Sequence, residues 1–262
     1  MLMPLVRWVK SGAHLHPVGP AVPDIVQHSR SYTGPTGIPS AIAYPSIVHR
    51  RIFLLSPARC SGERANLVYS ERAKFPLALR LRSGQATLGE TFTFLSGLYF
   101  RGKLAYAQRF APPQCVWIMT TNQGLLAPHN PLNLKQLRRM AAVPIAINEP
   151  RYTRPLKRCA RQLAQEASDA EIVLLGSIAS GKYVDLLLSI FGDRLKFPSQ
   201  FVGRGDMSRG GLMLRAVHSG QELQYIPVAG AIRHGKRPPR LLPIKRANSD
   251  LSAISDSCIS AD

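Results

Sequence analysis

Five short apolar runs punctuate the chain, and they constrain its fold more than any other feature. They lie at 52–56, 115–121, 171–176, 195–202 and 223–229. Each is strand-sized, and IFLL, VWIM and IVLL are apolar without alternation, as in strands covered on both faces. Helical stripes fill the gaps. Leu156, Cys159, Leu163 and Ala167 follow a start signal at Thr153-Arg154-Pro155. Tyr183, Leu186, Leu187 and Ile190 end at Gly192, and Leu212, Leu214, Ala216 and Val217 end at Gly220. Strands alternating with helices predict an α/β fold: a mostly parallel sheet with helices on both faces, in a Rossmann-like three-layer arrangement. Ligands of such sheets bind beyond the carboxyl ends of the strands, so the loops after each run hold the chemistry.

Composition sets the frame for those loops. With 262 residues, 45% of them apolar, the chain can build a sizeable core. No apolar run approaches the ~18–20 residues of a membrane helix. The 34 Lys and Arg outweigh 15 Asp and Glu, a formal charge of +19. Residues 51–246 carry 30 of the basic and 11 of the acidic residues; 247–262 carry three acids and no base. Residues 1–50 are interrupted by Pro17, Gly19, Pro20, Pro23, Gly34, Pro35, Gly37 and Pro39. Three parts are therefore expected: a disordered or loosely attached segment 1–50, a basic α/β domain 51–246, and an acidic disordered tail 247–262. The start is compatible with a transit-like leader or with translation from further downstream. The basic field attracts polyanions, whether nucleic acid, nucleotide phosphates or an anionic membrane. An arginine-rich composition also follows from a GC-rich coding sequence, so charge alone names no partner. Cys60, Cys115, Cys159 and Cys258 are too far apart for a Cys-x-x-Cys element, and His218 and His234 stand alone. The sequence leads to no metal, no cofactor, and a cytoplasmic location with reduced thiols.

The strand-end loops supply the candidate ligand-binding residues. After the first run come Ser56, Cys60, Ser61 and Arg64, hydroxyls and a guanidinium at a helix start suited to an anion. Cys60 there would have a depressed pKa. Phe100-Arg101 and Lys103 in an aromatic helix could hold a base and a phosphate, or form a core face with solvated cations. Thr121 and Asn122 lie in a polar turn before Gly124. Gly176, Ser177 and Gly181-Lys182-Tyr183 have the spacing of a P-loop, but Tyr183 stands where the magnesium-binding hydroxyl belongs. Gly203-Arg204-Gly205-Asp206-Met207-Ser208-Arg209-Gly210-Gly211 reads as a flexible cationic loop with Asp206 as its one acid. Asp206 is the candidate catalytic acid–base group, or else caps a helix or pairs with an arginine.

Ser56 with Cys60, Phe100-Arg101 with Tyr106-Ala107, Gly124-Leu125-Leu126 with Pro128, and Gly181-Lys182-Tyr183 together resemble a family of uncharacterised bacterial α/β proteins. The match spans about 50–215. It departs at Leu95 and Gly97, where Tyr and Ser are common in that family, and at Asn122-Gln123, where Lys-Tyr is common. Distant relatives of that family are similar to proteins of DNA-base modification and peroxide-stress protection. The resemblance implies a nucleic-acid or nucleoside context.

The expectation is a protein that binds a nucleotide, nucleoside or other phosphate-bearing ligand at its strand ends, in the manner of a glycosyl- or deoxyribosyl-type enzyme. The alternative is a non-catalytic nucleic-acid-binding protein that relies on its charge.

Overall fold

A computed structural model describes residues 51–179 and 181–242; the expectations for 1–50, 247–262 and Cys258 lie outside them. Four parallel strands form the centre: β1 (Arg51–Leu55), β3 (Val116–Met119), β6 (Glu171–Leu175) and β7 (Leu195–Pro198). They run in the order β3-β1-β6-β7. Two short antiparallel strands, β4 (Leu125–Leu126) and β8 (Tyr225–Pro227), close the edges beside β3 and β7. A second sheet pairs β2 (Ala86–Thr87) with β5 (Pro131–Leu132). The five apolar runs all become strands of the main sheet, in a mixed but mostly parallel α/β fold.

Eight α-helices among the described residues complete the fold. They are α1 (Glu63–Tyr69), α2 (Pro76–Ser83), α3 (Leu88–Ser96), α4 (Leu98–Phe110), α5 (Leu134–Ala141), α6 (Pro150–Glu166), α7 (Val184–Phe191) and α8 (Asp206–Ser219). Successive residues of β1, β3 and β6 are buried on both faces, which is why these strands are written in unbroken apolar letters. The chain leaves β1 toward β3 on one side, then returns across β1 to β6 on the other. In parallel sheets such a reversal is where a ligand crevice forms, here at the carboxyl ends of β1 and β6. Leu55 pairs with Leu175, and the Ser56 amide donates to the Leu175 carbonyl, so Ser56 and Gly176 leave the sheet side by side. The opposite edge gathers charge pairs: Glu171 holds both Arg51 and Lys196 at the amino ends of their strands.

Two boundaries differ from expectation. Helix α6 starts at Pro150, not near Thr153, because Pro150 takes the first turn behind a Glu149 cap; Pro155 lies inside the helix. The glycine-rich stretch is not a loop from end to end, because Asp206 opens α8 and Gly210 and Gly211 are helical. Gly210 is required by packing rather than flexibility: a Cβ there would lie 2.7 Å from the Leu98 carbonyl oxygen. The α4 and α8 backbones thus cross at close range.

Candidate functional site

At the crevice, a Cβ on Gly176 would lie 2.8 Å from both the Ser56 Cβ and the Tyr183 hydroxyl. Glycine therefore lets the Ser56 side chain and the Tyr183 ring meet over the end of β6. Tyr183 turns inward from the start of α7, and its hydroxyl donates to the Ser177 carbonyl at 3.0 Å. Burial raises the pKa of that phenol, so it stays protonated and can donate.

From α4, Lys103 reaches the same point. Its Nζ donates to the Ser56 carbonyl oxygen at 2.6 Å and to Ser56 Oγ at 2.9 Å. The amine sits 4.5 Å from the centre of the Tyr99 ring and 4.6 Å from that of Phe100. Only 1% of the residue is exposed, and none of the described carboxylates lies within ion-pair distance. Burial pulls its pKa down to about 7, opposed by the more distant charge of Asp206. A lysine in this state has both protonation forms at hand near neutral pH.

Arg209 enters from α8 with 7% exposure. Its Nε donates to the Phe201 carbonyl at 3.2 Å, and Nη1 reaches the exposed Asp206 carboxylate at 3.4 Å. The guanidinium lies close to the hydroxyls of Tyr99 and Tyr183, whose titration it affects. Tyr152, in the first turn of α6, is fully buried near Tyr183, and its hydroxyl has no hydrogen-bond partner among the described residues. Two buried cations, the tyrosine hydroxyls and Ser56 thus converge, and Asp206, the carboxylate paired with Arg209, faces solvent. The arrangement is rich in donors and suits an anionic or strongly polar ligand.

Of the residues expected at a ligand, the crevice brings together Ser56, Gly176, Ser177, Tyr183, Arg209 and Asp206. Asp206 is exposed and paired with Arg209 at the start of α8. The others sit elsewhere. Cys60 is buried, bonded to the Ala58 carbonyl, and burial pushes its thiol up to about 12. The expected depressed pKa is therefore reversed, because Cys60 faces the core and not the helix start. Ser61 is exposed just before α1 and accepts from Arg59. Arg64 donates to the Phe94 carbonyl against Gly97, and Thr121 donates to the Met140 carbonyl. Arg101 is exposed on α4, and Asn122 lines a different cavity. Lys182 is exposed, and the Asp185 carboxylate lies against Gly181 where a P-loop would seat phosphate. Arg204 holds the Gln200 and Pro239 carbonyls and the Ser208 hydroxyl.

Tyr152 is a site residue that the loop-by-loop reading misses, and Lys103, expected with Arg101 to hold a base and a phosphate or to be a solvated cation, is instead buried against Ser56. Their signal was periodicity: Lys103 falls on the Tyr99–Tyr106–Phe110 stripe of α4, where a solvated lysine does not belong.

Fold and crevice define an α/β protein with a buried basic centre at the strand-order reversal of its sheet. No family model matches the chain, and neither does any curated protein or solved structure. No helix among the described residues is long and apolar enough to cross a membrane, and no group of three or more potential metal ligands occurs among them.

Proposed function

We propose that the crevice binds a nucleotide, a nucleoside or another polar, phosphate-bearing ligand, and that Lys103 rather than Asp206 is its acid–base group. One observation carries this reading: Lys103 and Arg209 are buried together, and among the described residues the only carboxylate paired with either is the exposed Asp206. Burying a cation without an opposite charge is costly, and a bound anion offsets that cost. Ser177, Tyr183 and the crevice amides would orient the ligand, while Arg209 would hold its charge. In a glycosyl- or deoxyribosyl-directed reaction, neutral Lys103 would take the proton of Ser56 or of a water as that oxygen bonds to the anomeric carbon, and would return it to the base that leaves as the glycosidic bond breaks.

The test is thermal shift with nucleotides, nucleosides and inorganic phosphate at two salt concentrations, since a ligand of the native state raises Tm by mass action. A shift in the wild type that disappears in Lys103→Met and Arg209→Met supports the reading. Absence of any shift, or an equal shift in folded Lys103→Met, overturns it.

A further inference from the structure

Outside the crevice, α5 and the start of α6 carry a group of cations that line two adjoining cavities. One cavity of about 770 Å3 is lined by Arg82, Lys135, Arg138 and Arg139. A second, of about 610 Å3, is lined by Asn122, Arg139, Arg151 and Arg154. Arg139 and Ala142 form a wall of both, and no Asp or Glu lines either one. The two cavities therefore adjoin across Arg139 and Ala142, and together this groove carries six basic side chains.

Half of those side chains already have partners. Arg82 donates to the carbonyls of Ser70, Glu71 and Ala73, Arg138 lies over the Tyr69 ring, and Arg151 pairs with Glu149. Lys135, Arg139 and Arg154 are exposed and make no hydrogen bond or ion pair among the described residues. Three like charges held along one groove favour an extended polyanion.

Asn122 narrows the choice of polyanion. Its Oδ1 is buried and has no hydrogen-bond partner among the described residues, although it is an acceptor in a groove of donors. Phosphate oxygens cannot satisfy it, whereas a base N–H or a sugar hydroxyl can. Position points the same way. Asn122 follows β3 at the carboxyl edge of the sheet that also carries Ser56. The first turn of α6 supplies Arg151 and Arg154 to the groove and buries Tyr152 beside Tyr183 at the crevice.

We propose that a nucleic acid strand lies along this groove, its phosphates on Lys135, Arg139 and Arg154 and one base or sugar edge on Asn122. Its role as the carrier of the crevice ligand rests on the function proposed above; its location rests on the groove alone. A helix of eight residues is ~12 Å long. At ~3.4 Å per stacked nucleotide, that is room for three or four nucleotides.

Binding of a fluorescent twelve-nucleotide single strand, followed by anisotropy across a salt series, tests the proposal. The triple variant Lys135→Ala, Arg139→Ala, Arg154→Ala should bind at least tenfold more weakly and flatten the slope of log affinity against log salt by about 2, at ~0.7 per phosphate contact. Asn122→Ala should weaken the oligonucleotide but not a polyphosphate of equal charge. Strand binding by a protein that gives no thermal shift with nucleotides would separate failure of the crevice reading from failure of this proposal. All three substituted cations are exposed, and circular dichroism and Tm confirm that the variants fold. Unchanged oligonucleotide binding by the folded triple variant overturns the proposal. So does equal competition by polyphosphate or by anionic phosphatidylserine vesicles, which would assign the affinity to net charge.

Discussion

Gly102 of α4 and Gly210 of α8 oppose each other so closely that a Cβ on Gly102 would lie 2.7 Å from the Gly210 carbonyl oxygen. The residues beside them in sequence, Lys103 and Arg209, are the two buried cations of the crevice. The helix crossing and the site are thus one construction.

Gly102→Ala should therefore destabilise the fold by about 1–3 kcal/mol, the usual cost of overpacking a core. The contact is with backbone, which cannot rotate aside as a side chain can. Thermal or urea unfolding measures the loss. A Tm equal to that of the wild type would show that the helices do not approach this closely.

Lys103 makes stability depend on pH. Its folded pKa lies near 7, below its ordinary value of 10.5. The unfolded chain therefore binds more protons between those values, and stability rises as pH rises through that window. Below about 7 the fold carries the full cost of a charged amine; above about 10.5 that cost is gone. The slope approaches ~1.4 kcal/mol per pH unit within the window. The groups that act on Lys103 are the dipole of Ser56, the rings of Tyr99 and Phe100, and Asp206 across the α8 start. Tyr183 and Arg209 adjoin them. Urea titrations at pH 6.5, 8 and 9.5 should show the rise in wild type and lose it in Lys103→Met. A parallel rise in both proteins would exclude Lys103 as its origin.

Gly176→Ala should remove ligand-induced stabilisation, because the new methyl would meet the Ser56 Cβ and the Tyr183 hydroxyl at 2.8 Å. Some loss of Tm should accompany it, again about 1–3 kcal/mol. Full retention of the nucleotide shift would mean that Ser56 and Tyr183 are not part of the site.

Thiol labelling separates the cysteines. In a Cys258→Ser background, native protein should react at half-buried Cys159 and leave Cys60 and Cys115 untouched at pH 8. Burial raises both of those thiols, Cys60 to about 12, and removes them from reagent. Rapid modification of Cys60 in folded protein would contradict this arrangement.

The main strands were legible because residues such as Phe53, Leu54, Val173 and Leu174 are apolar on successive positions, a pattern set by double-sided burial. The two-residue strands β2, β4 and β5 were not, since they are too short to carry a period. Ser56, Gly176 and Tyr183 could be found because fold class directs attention to strand ends. Lys103 could not be found that way: it reaches the crevice from mid-helix, and its burial depends on a helix crossing more than a hundred residues distant in sequence. For Asp206 the structure matches the second of its two expected readings, the pairing with an arginine at a helix start. Once Gly210 is seen as a packing glycine, Asp206 becomes the first residue of a helix.

The sheet ends in a two-residue strand on one flank and a three-residue strand on the other, and Pro227 removes a backbone donor from the latter. Such borders give an incoming strand almost no ladder to extend. Among the described residues, then, the sheet presents side chains from loops and helices rather than an open backbone ladder.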